Sequence, residues 1–357
     1  MLKHIFSGIA LCAMGLLVSC EESDLPGLGK EANTTFSGEK LALTYGGSAM
    51  PGKQIKFHTY DGEKASIEMS GVLDLAALFP SENLPEIGLL APGVVPGEII
   101  TQLENVPLTL GTDGSSYSFS GTDTSNGREL TYSGQVSADK MTMDIQVKMP
   151  DDNLMGSWKL ASGQSLAMVW ESEGTIDLGG NEISTSMVAS MAGPLLSQLI
   201  AGKVQTFSFH EDGNVVLSYM KSGADTWQDS PLNMAQYYLK DGKLYAQLNV
   251  SEILSMITRT RANSITDIIG MLRDLVSYMS EGIPLTYEQA EDGSVKLTLA
   301  TEDAKALLKL LTVDFISGKI VEALPENAQS IAQPLLEKLP ELLDATTTLE
   351  ISLKLNK

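Results

Sequence analysis

Cysteine and histidine are scarce: two cysteines, Cys12 and Cys20, and three histidines stand among 357 residues. Cys12 lies in an apolar N-terminal stretch expected to be cleaved off, and the Cys20 sulfur is expected to be occupied. The mature chain therefore offers no disulfide, no cysteine metal site and no thiol catalyst. His58 and His210 remain beyond that stretch, on different expected strands. A zinc site or a serine triad needs histidines that converge with partners. Positive charge is also short: 24 Lys and Arg face 45 Asp and Glu, for a net −21. Such a balance repels phosphate backbones, so nucleic acid is not an expected partner. The apolar share, 43%, is ordinary, which argues against a disordered acidic chain. After the N-terminal stretch no apolar run is long enough to span a bilayer.

Other catalytic patterns are missing too. Gly46-Gly47 and Gly179-Gly180 lack the Lys-Ser and helix of a phosphate loop. The acid pairs Glu21-Glu22, Asp151-Asp152, Glu291-Asp292 and Glu302-Asp303 fall on expected turns and helix starts. Glycosidases need carboxylates facing across a cleft instead. Asp212-x-Asn214 is too sparse for a calcium loop. The expectation is a protein without catalytic residues, metal or cofactor.

What is present begins with a leader. Lys3 is followed by an apolar stretch from Ile5 to Val18, short for a span, as in a secretory signal over residues 1–19. It closes as Leu17-Val18-Ser19-Cys20, which resembles the bacterial lipobox. The resemblance implies lipidation of the Cys20 thiol and cleavage before it. With about 0.8 kcal/mol for each buried methylene, two or three acyl chains hold such a protein on a membrane. Glu21, Glu22 and Asp24 follow directly, which looks like the acidic export signal of surface lipoproteins in Bacteroidota. That implies an outer-membrane protein facing outward. Residues 20–34 contain Pro26, Gly27 and Gly29 without apolar periodicity and read as a linker.

From residue 35 to 150 the pattern is short strands separated by turns. Strands are expected over Phe36–Tyr45, Gln54–Tyr60, Lys64–Val72, Ile99–Leu110, Ser116–Ser120, Glu129–Val136 and Met141–Met149. Gly46-Gly47, Asp61-Gly62 and Asn126-Gly127 are among the turns. Pro150–Asn153 reads as a boundary. A second domain, 151–357, opens at Gly156-Ser157-Trp158. Its strands are expected over Leu166–Glu171, Val204–His210, Asn214–Tyr219, Gln236–Leu239, Leu244–Val250, Leu285–Gln289, Val295–Leu299 and Thr348–Leu355, with two-residue turns at Asp212-Gly213 and Asp241-Gly242. Helices are inserted between them. Met187–Ile200 is expected to break at Gly193-Pro194, and Ser251–Ser280 to start with Ser251 as its cap. Thr301 reads as the N-cap of a helix running to Phe315, and a last helix, Ser330–Leu343, is interrupted at Pro334 and Pro340.

The Gly156-Ser157-Trp158 triplet resembles the Gly-x-Trp signature of lipocalins and other calycins, where the tryptophan plugs a small barrel. Phe36-Ser37-Gly38-Glu39-Lys40-Leu41, Tyr117-Ser118-Phe119-Ser120-Gly121 and Tyr132-Ser133-Gly134 resemble calycin-like repeats of Bacteroidota surface lipoproteins. These resemblances imply two calycin-like or lipocalin-like antiparallel meanders, barrel or sandwich, in a mainly β chain of α+β type with helical insertions. The helices of 251–343 depart from a plain lipocalin, so an open ligand cup does not follow.

Trp158, Trp170 and Trp227, with Tyr219, Tyr237, Tyr238 and Tyr245, are the candidates for an aromatic pocket. Packing inside a barrel accounts for the same residues. The leading expectation is a non-catalytic binding module at the outer membrane for a small apolar molecule, a glycan or a protein partner. The alternative is a structural component of an envelope complex. A cavity lined by the tryptophans would favour the first, and a filled barrel with an apolar outer patch the second.

Overall fold

The computed structural model describes residues 27–73, 91–178, 180–221, 223–251, 276–312, 317–318, 321, 324 and 326–357. The leader, Cys20, the helical turn expected at Leu75–Phe79 and most of the helix expected over 251–280 lie outside the described residues.

The chain is mainly β, built on two curled sheets with several helices. A short helix α1 (Gly27–Ala32) comes first, so the stretch expected as linker already contributes Ala32 to a core. The first sheet contains β1 (Thr34–Ser37), β2 (Leu41–Tyr45), β3 (Ser48–Ala49), β4 (Lys53–Thr59), β5 (Lys64–Gly71), β6 (Ile100–Leu110), β7 (Tyr117–Ser125), β8 (Arg128–Val136) and β9 (Met141–Lys148). Their order is β1-β4-β5-β6-β7-β8-β9-β2-β3. The expected strand Phe36–Tyr45 is in fact two, separated by a 3-10 turn at Gly38–Lys40 where Gly38 has φ +55°. Its first part pairs antiparallel with β4, its second parallel with β9. The parity explains this. Seven strand positions run alternately up and down around the curl, so first and last point the same way and must meet in parallel.

Turn chemistry fixes the register. Gly46-Gly47 and Asn126-Gly127 take positive φ at both positions, as two-residue hairpins demand. Asp61 instead accepts the backbone N–H groups of Glu63 (2.8 Å) and Lys64 (2.9 Å), and these bonds hold its carboxyl below the usual range. Alternation then decides the interior: Ile55 and Phe57 on β4, Ile67 and Met69 on β5, and Met141, Met143 and Ile145 on β9 all face one closed core.

The second sheet contains β10 (Gly156–Leu160), β11 (Leu166–Ser172), β14 (Val204–Phe209), β15 (Val215–Met220), β16 (Trp227–Asp229), β17 (Ala235–Lys240), β18 (Lys243–Leu248), β19 (Ile283–Gln289), β20 (Val295–Leu299) and β21 (Thr346–Asn356). A separate hairpin, β12 (Thr175–Leu178) with β13 (Asn181–Ser184), was not expected from the sequence. The order is β16-β15-β14-β10-β21-β20-β19-β18-β17, with β11 also paired to β21; β10 sits between β14 and the last strand, and the sheet is open between its β15–β16 end and β17. One bridge, Asn214 to Gln236, spans the opening. The result is a half-barrel. Eight main positions make an even count, and every pairing is antiparallel.

Helices α2 (Thr185–Ala201), α4 (Thr301–Leu308) and α5 (Glu326–Asp344) close over one end of this sheet, and α3 (Val276–Ser280) leads into β19. The structure corrects four expectations. α2 runs through Pro194 without ending, and α5 runs through Pro334 and Pro340. Leu339, Leu342 and Leu343 of α5 are buried against Trp170, Val188 and Leu349, and this burial outweighs the lost helical bonds. Thr301 is not a cap: Ala300 holds that place, and the Thr301 hydroxyl accepts the N–H of Leu349 on β21 at 3.0 Å. Asp212-Gly213 belongs to a longer turn, in which His210 N–H donates to Asn214 O, rather than a two-residue hairpin. Asp241-Gly242 is such a hairpin.

Candidate functional site

The aromatic candidates are not brought together. Trp158 is fully buried among Phe209, Tyr237, Leu244 and Leu355, and its Nε1 donates to Leu154 O at 2.6 Å. Trp170 is buried in the other cluster, under the helices, with Nε1 donating to Thr346 Oγ1 at 2.8 Å. Both indole N–H groups are spent on internal partners. Trp227 is 40% exposed on the edge strand β16, opposite Met220. Tyr219, the preceding residue of β15, lies opposite Gln228 and so points to the other face. Tyr237 meets Phe209 edge-on at 5.0 Å and donates to Asp152 at 3.1 Å; burial, then Asp152, raise its pKa. Tyr238 stacks on Tyr245 at 5.0 Å, donates to Glu281 O, and is pushed up to about 12 by burial. Trp158 and Tyr237 fill the interior of the half-barrel, while Tyr238, the next residue of β17, turns to the other face against Gly97.

The histidines stay apart. His210 is exposed at its turn. His58 is half-buried on the outward face of β4 with its ring 4.2 Å from that of Tyr60. Among the described residues no three of His, Cys, Asp and Glu gather as metal ligands.

Polar chemistry collects instead where the two sheets meet. Asn233, just before β17, donates through Nδ2 to the carbonyls of Tyr45 (3.0 Å), Ser48 (3.0 Å) and Ala49 (3.1 Å). Its own N–H is taken by Asn214 Oδ1 at 2.8 Å, and its φ is +63°, which asparagine tolerates. Asn214 is in turn held by Asp212, whose carbonyl accepts the Tyr45 hydroxyl at 2.5 Å. Burial and then Asp212 push that phenol well above its ordinary pKa. Asn249 Nδ2 reaches Pro51 O, Ser251 Oγ reaches Val72 O, and Gly97 N–H donates to Gln247 Oε1. Ser251, expected as a cap, is spent on this seam. Gly46 is required here: a Cβ on it would stand 2.6 Å from an Asp212 carboxylate oxygen.

Lys53 is the basic member of the seam. It is 4% exposed, and Nζ donates to Pro92 O at 2.7 Å and Gly93 O at 2.8 Å. Burial alone lowers its pKa to about 7. It borders a narrow enclosed void with Asn233, Gln236, Gln247 and Asn249. Sequence reading missed this group. The available signal was phase: Lys53 is in step with Ile55 and Phe57, so its side chain is turned inward.

A second buried basic side chain ties a loop to the first sheet. Arg128 bonds Glu98 (3.0 Å) and Asp123 (2.6 Å), and Thr101 also donates to Glu98. Burial lowers the Arg128 pKa, but the two carboxylates outweigh it and hold the guanidinium charged. An open cleft of about 420 Å3 lies beside it, between Thr124 and Asp151. A groove of about 520 Å3 runs along α5, lined by Leu311, Val321, Leu336 and Pro340.

No family model matches this chain, and no curated protein or solved structure matches it.

Proposed function

We propose that this chain is a lipid-anchored envelope protein of a Bacteroidota type that acts on a protein partner through its outer surface, without a catalytic step. The observation that carries this reading is the filling of both sheets. The first is packed with Phe36, Tyr45, Ile55, Phe57 and their neighbours, and the second with Trp158, Tyr237 and the leucines under the helices. The tryptophans that would have lined a ligand chamber are core residues or lie on an edge.

The surface offers one contrast. α5 presents Glu337, Lys338 and Glu341 outward. α2 has no charged residue in seventeen positions, and its Met187 and Met191 are 53% and 43% exposed. In a chain of net charge −21 such a face suits a protein contact, where methionine adapts to a partner's shape. Among the described residues no helix is long and apolar enough to cross a membrane; attachment in this reading is through the acyl chains expected on Cys20. A photo-crosslinker at Met187 or Met191 in intact cells is expected to give a discrete protein adduct, while one at Glu337 gives none. Equal labelling from both helices, or no adduct from α2, would refute the assignment.

A second reading has one observation behind it. The groove along α5 is large enough for a small apolar molecule, and Leu311, Val321 and Leu336 line it. Leu336→Glu would abolish binding there and leave the α2 adduct intact.

A further inference from the structure

Three groups at the junction have hydrogen-bonding capacity to spare. Lys53 Nζ uses two N–H groups on the Pro92 and Gly93 carbonyls. Gln236 Nε2, a donor, and Asn233 Oδ1, an acceptor, are buried and have no partner. All three residues border the same void, which is too narrow to admit a water molecule. Whatever Lys53 needs must come from the protein.

The two protonation states of Lys53 need different things. A neutral amine has two N–H groups and one lone pair. The N–H groups match the two carbonyls, and the lone pair calls for a donor; Gln236 Nε2 is the spare donor on the void. An ammonium has a third N–H and calls for an acceptor. Asn233 Oδ1 is the spare acceptor on the void. Asn233 is also the residue whose Nδ2 binds Tyr45, Ser48 and Ala49 across the seam. Turning its carboxamide toward Lys53 draws it off those carbonyls.

We propose that this void is a proton-operated latch between the two sheets, closed when Lys53 is neutral and loosened when Lys53 takes up a proton. Among the described residues that line the void, no counter-charge offsets the proton. Met50, Pro92, Met234, Gln247, Leu248 and Asn249 complete the lining, and none is ionisable. Lys56, Lys64 and Glu68 lie on the outward face of β4 and β5. Glu98, near the Pro92-Gly93 loop, is committed to Arg128, and Asp212 to Asn214. Tyr238, packed on Gly97, stays neutral below about 12. Asp241, with Lys240 and Lys243, occupies the far turn of the β17–β18 hairpin.

The direction with pH follows. The folded chain releases the Lys53 proton near 7, the unfolded chain near the ordinary 10.5. Between those values the unfolded state binds the extra proton, so stability rises with pH; below 7 both states are charged and the contribution is flat. The test uses the whole mature chain. The 13Cε resonance of Lys53 is expected to titrate near pH 7, and the thermal midpoint to rise by several degrees from pH 6 to 9, relative to Lys53→Met. Gln236→Glu places a carboxylate on the void, and is expected to keep Lys53 charged over that range and remove the rise. A Lys53 midpoint above 10 would overturn the proposal, as would a rise that persists unchanged in Lys53→Met. The wild-type titration decides the matter if neither variant folds.

Discussion

Asn233 shows how much one side chain can join. One amide nitrogen reaches three carbonyls of the first sheet, while the backbone sits in a conformation most residues resist. Asn233→Ala would remove the two N–H donors shared among those three carbonyls and add strain at φ +63°. Each unmet buried group costs about 1–3 kcal/mol, so a loss of about 3 kcal/mol or more in a urea titration is expected. A loss below about 1 kcal/mol would mean that the seam is wetter than it looks. Little of this was legible beforehand. Asn233 stands in a Pro-Leu-Asn-Met stretch with no motif, and its partners lie about 185 positions away. Lys53 was legible in principle, since a lysine in phase with Ile55 and Phe57 contradicts the polarity of its face. Trp158 was read both as plug and as pocket wall, and only its fully buried ring and bond to Leu154 decide between them.

At the scale of elements, strands were easier to read than helix ends. Alternation set by an inward face gave nearly all the strands of both sheets, because a one-residue slip would expose the whole apolar set. The small hairpin β12–β13 escaped, because Thr-Ile-Asp-Leu and Asn-Glu-Ile-Ser are too short to show a clear alternation. Prolines misled in the opposite direction. Gly193-Pro194 reads as a break, yet α2 continues, because Gly193 packs beside Leu166 and Ser197 Oγ bonds Gly193 O at 2.8 Å and Leu166 O at 3.1 Å. Pro194 itself is exposed. Pro194→Ala would restore the helical N–H without disturbing the core, and a gain of about 1–2 kcal/mol in chemical denaturation is expected. A loss of stability would show that the ring of Pro194 supports the local packing.

At the scale of the whole molecule, the two sheets solve the same problem with different counts. Seven positions around the first curl force one parallel contact, and eight around the second leave a fully antiparallel half-barrel that helices complete. Mainly β architecture with inserted helices was legible from turns and periodicity. The seam was not, since it is made by residues far apart in the chain and polar enough to pass for surface. The function proposed above is that of a self-filled protein, tethered at its amino end and working from outside. Native mass measurement of the protein extracted from membranes weighs that reading directly. A chain starting at Cys20 with its acyl groups and nothing more is expected; a small molecule that travels with the folded chain and leaves on unfolding would contradict it.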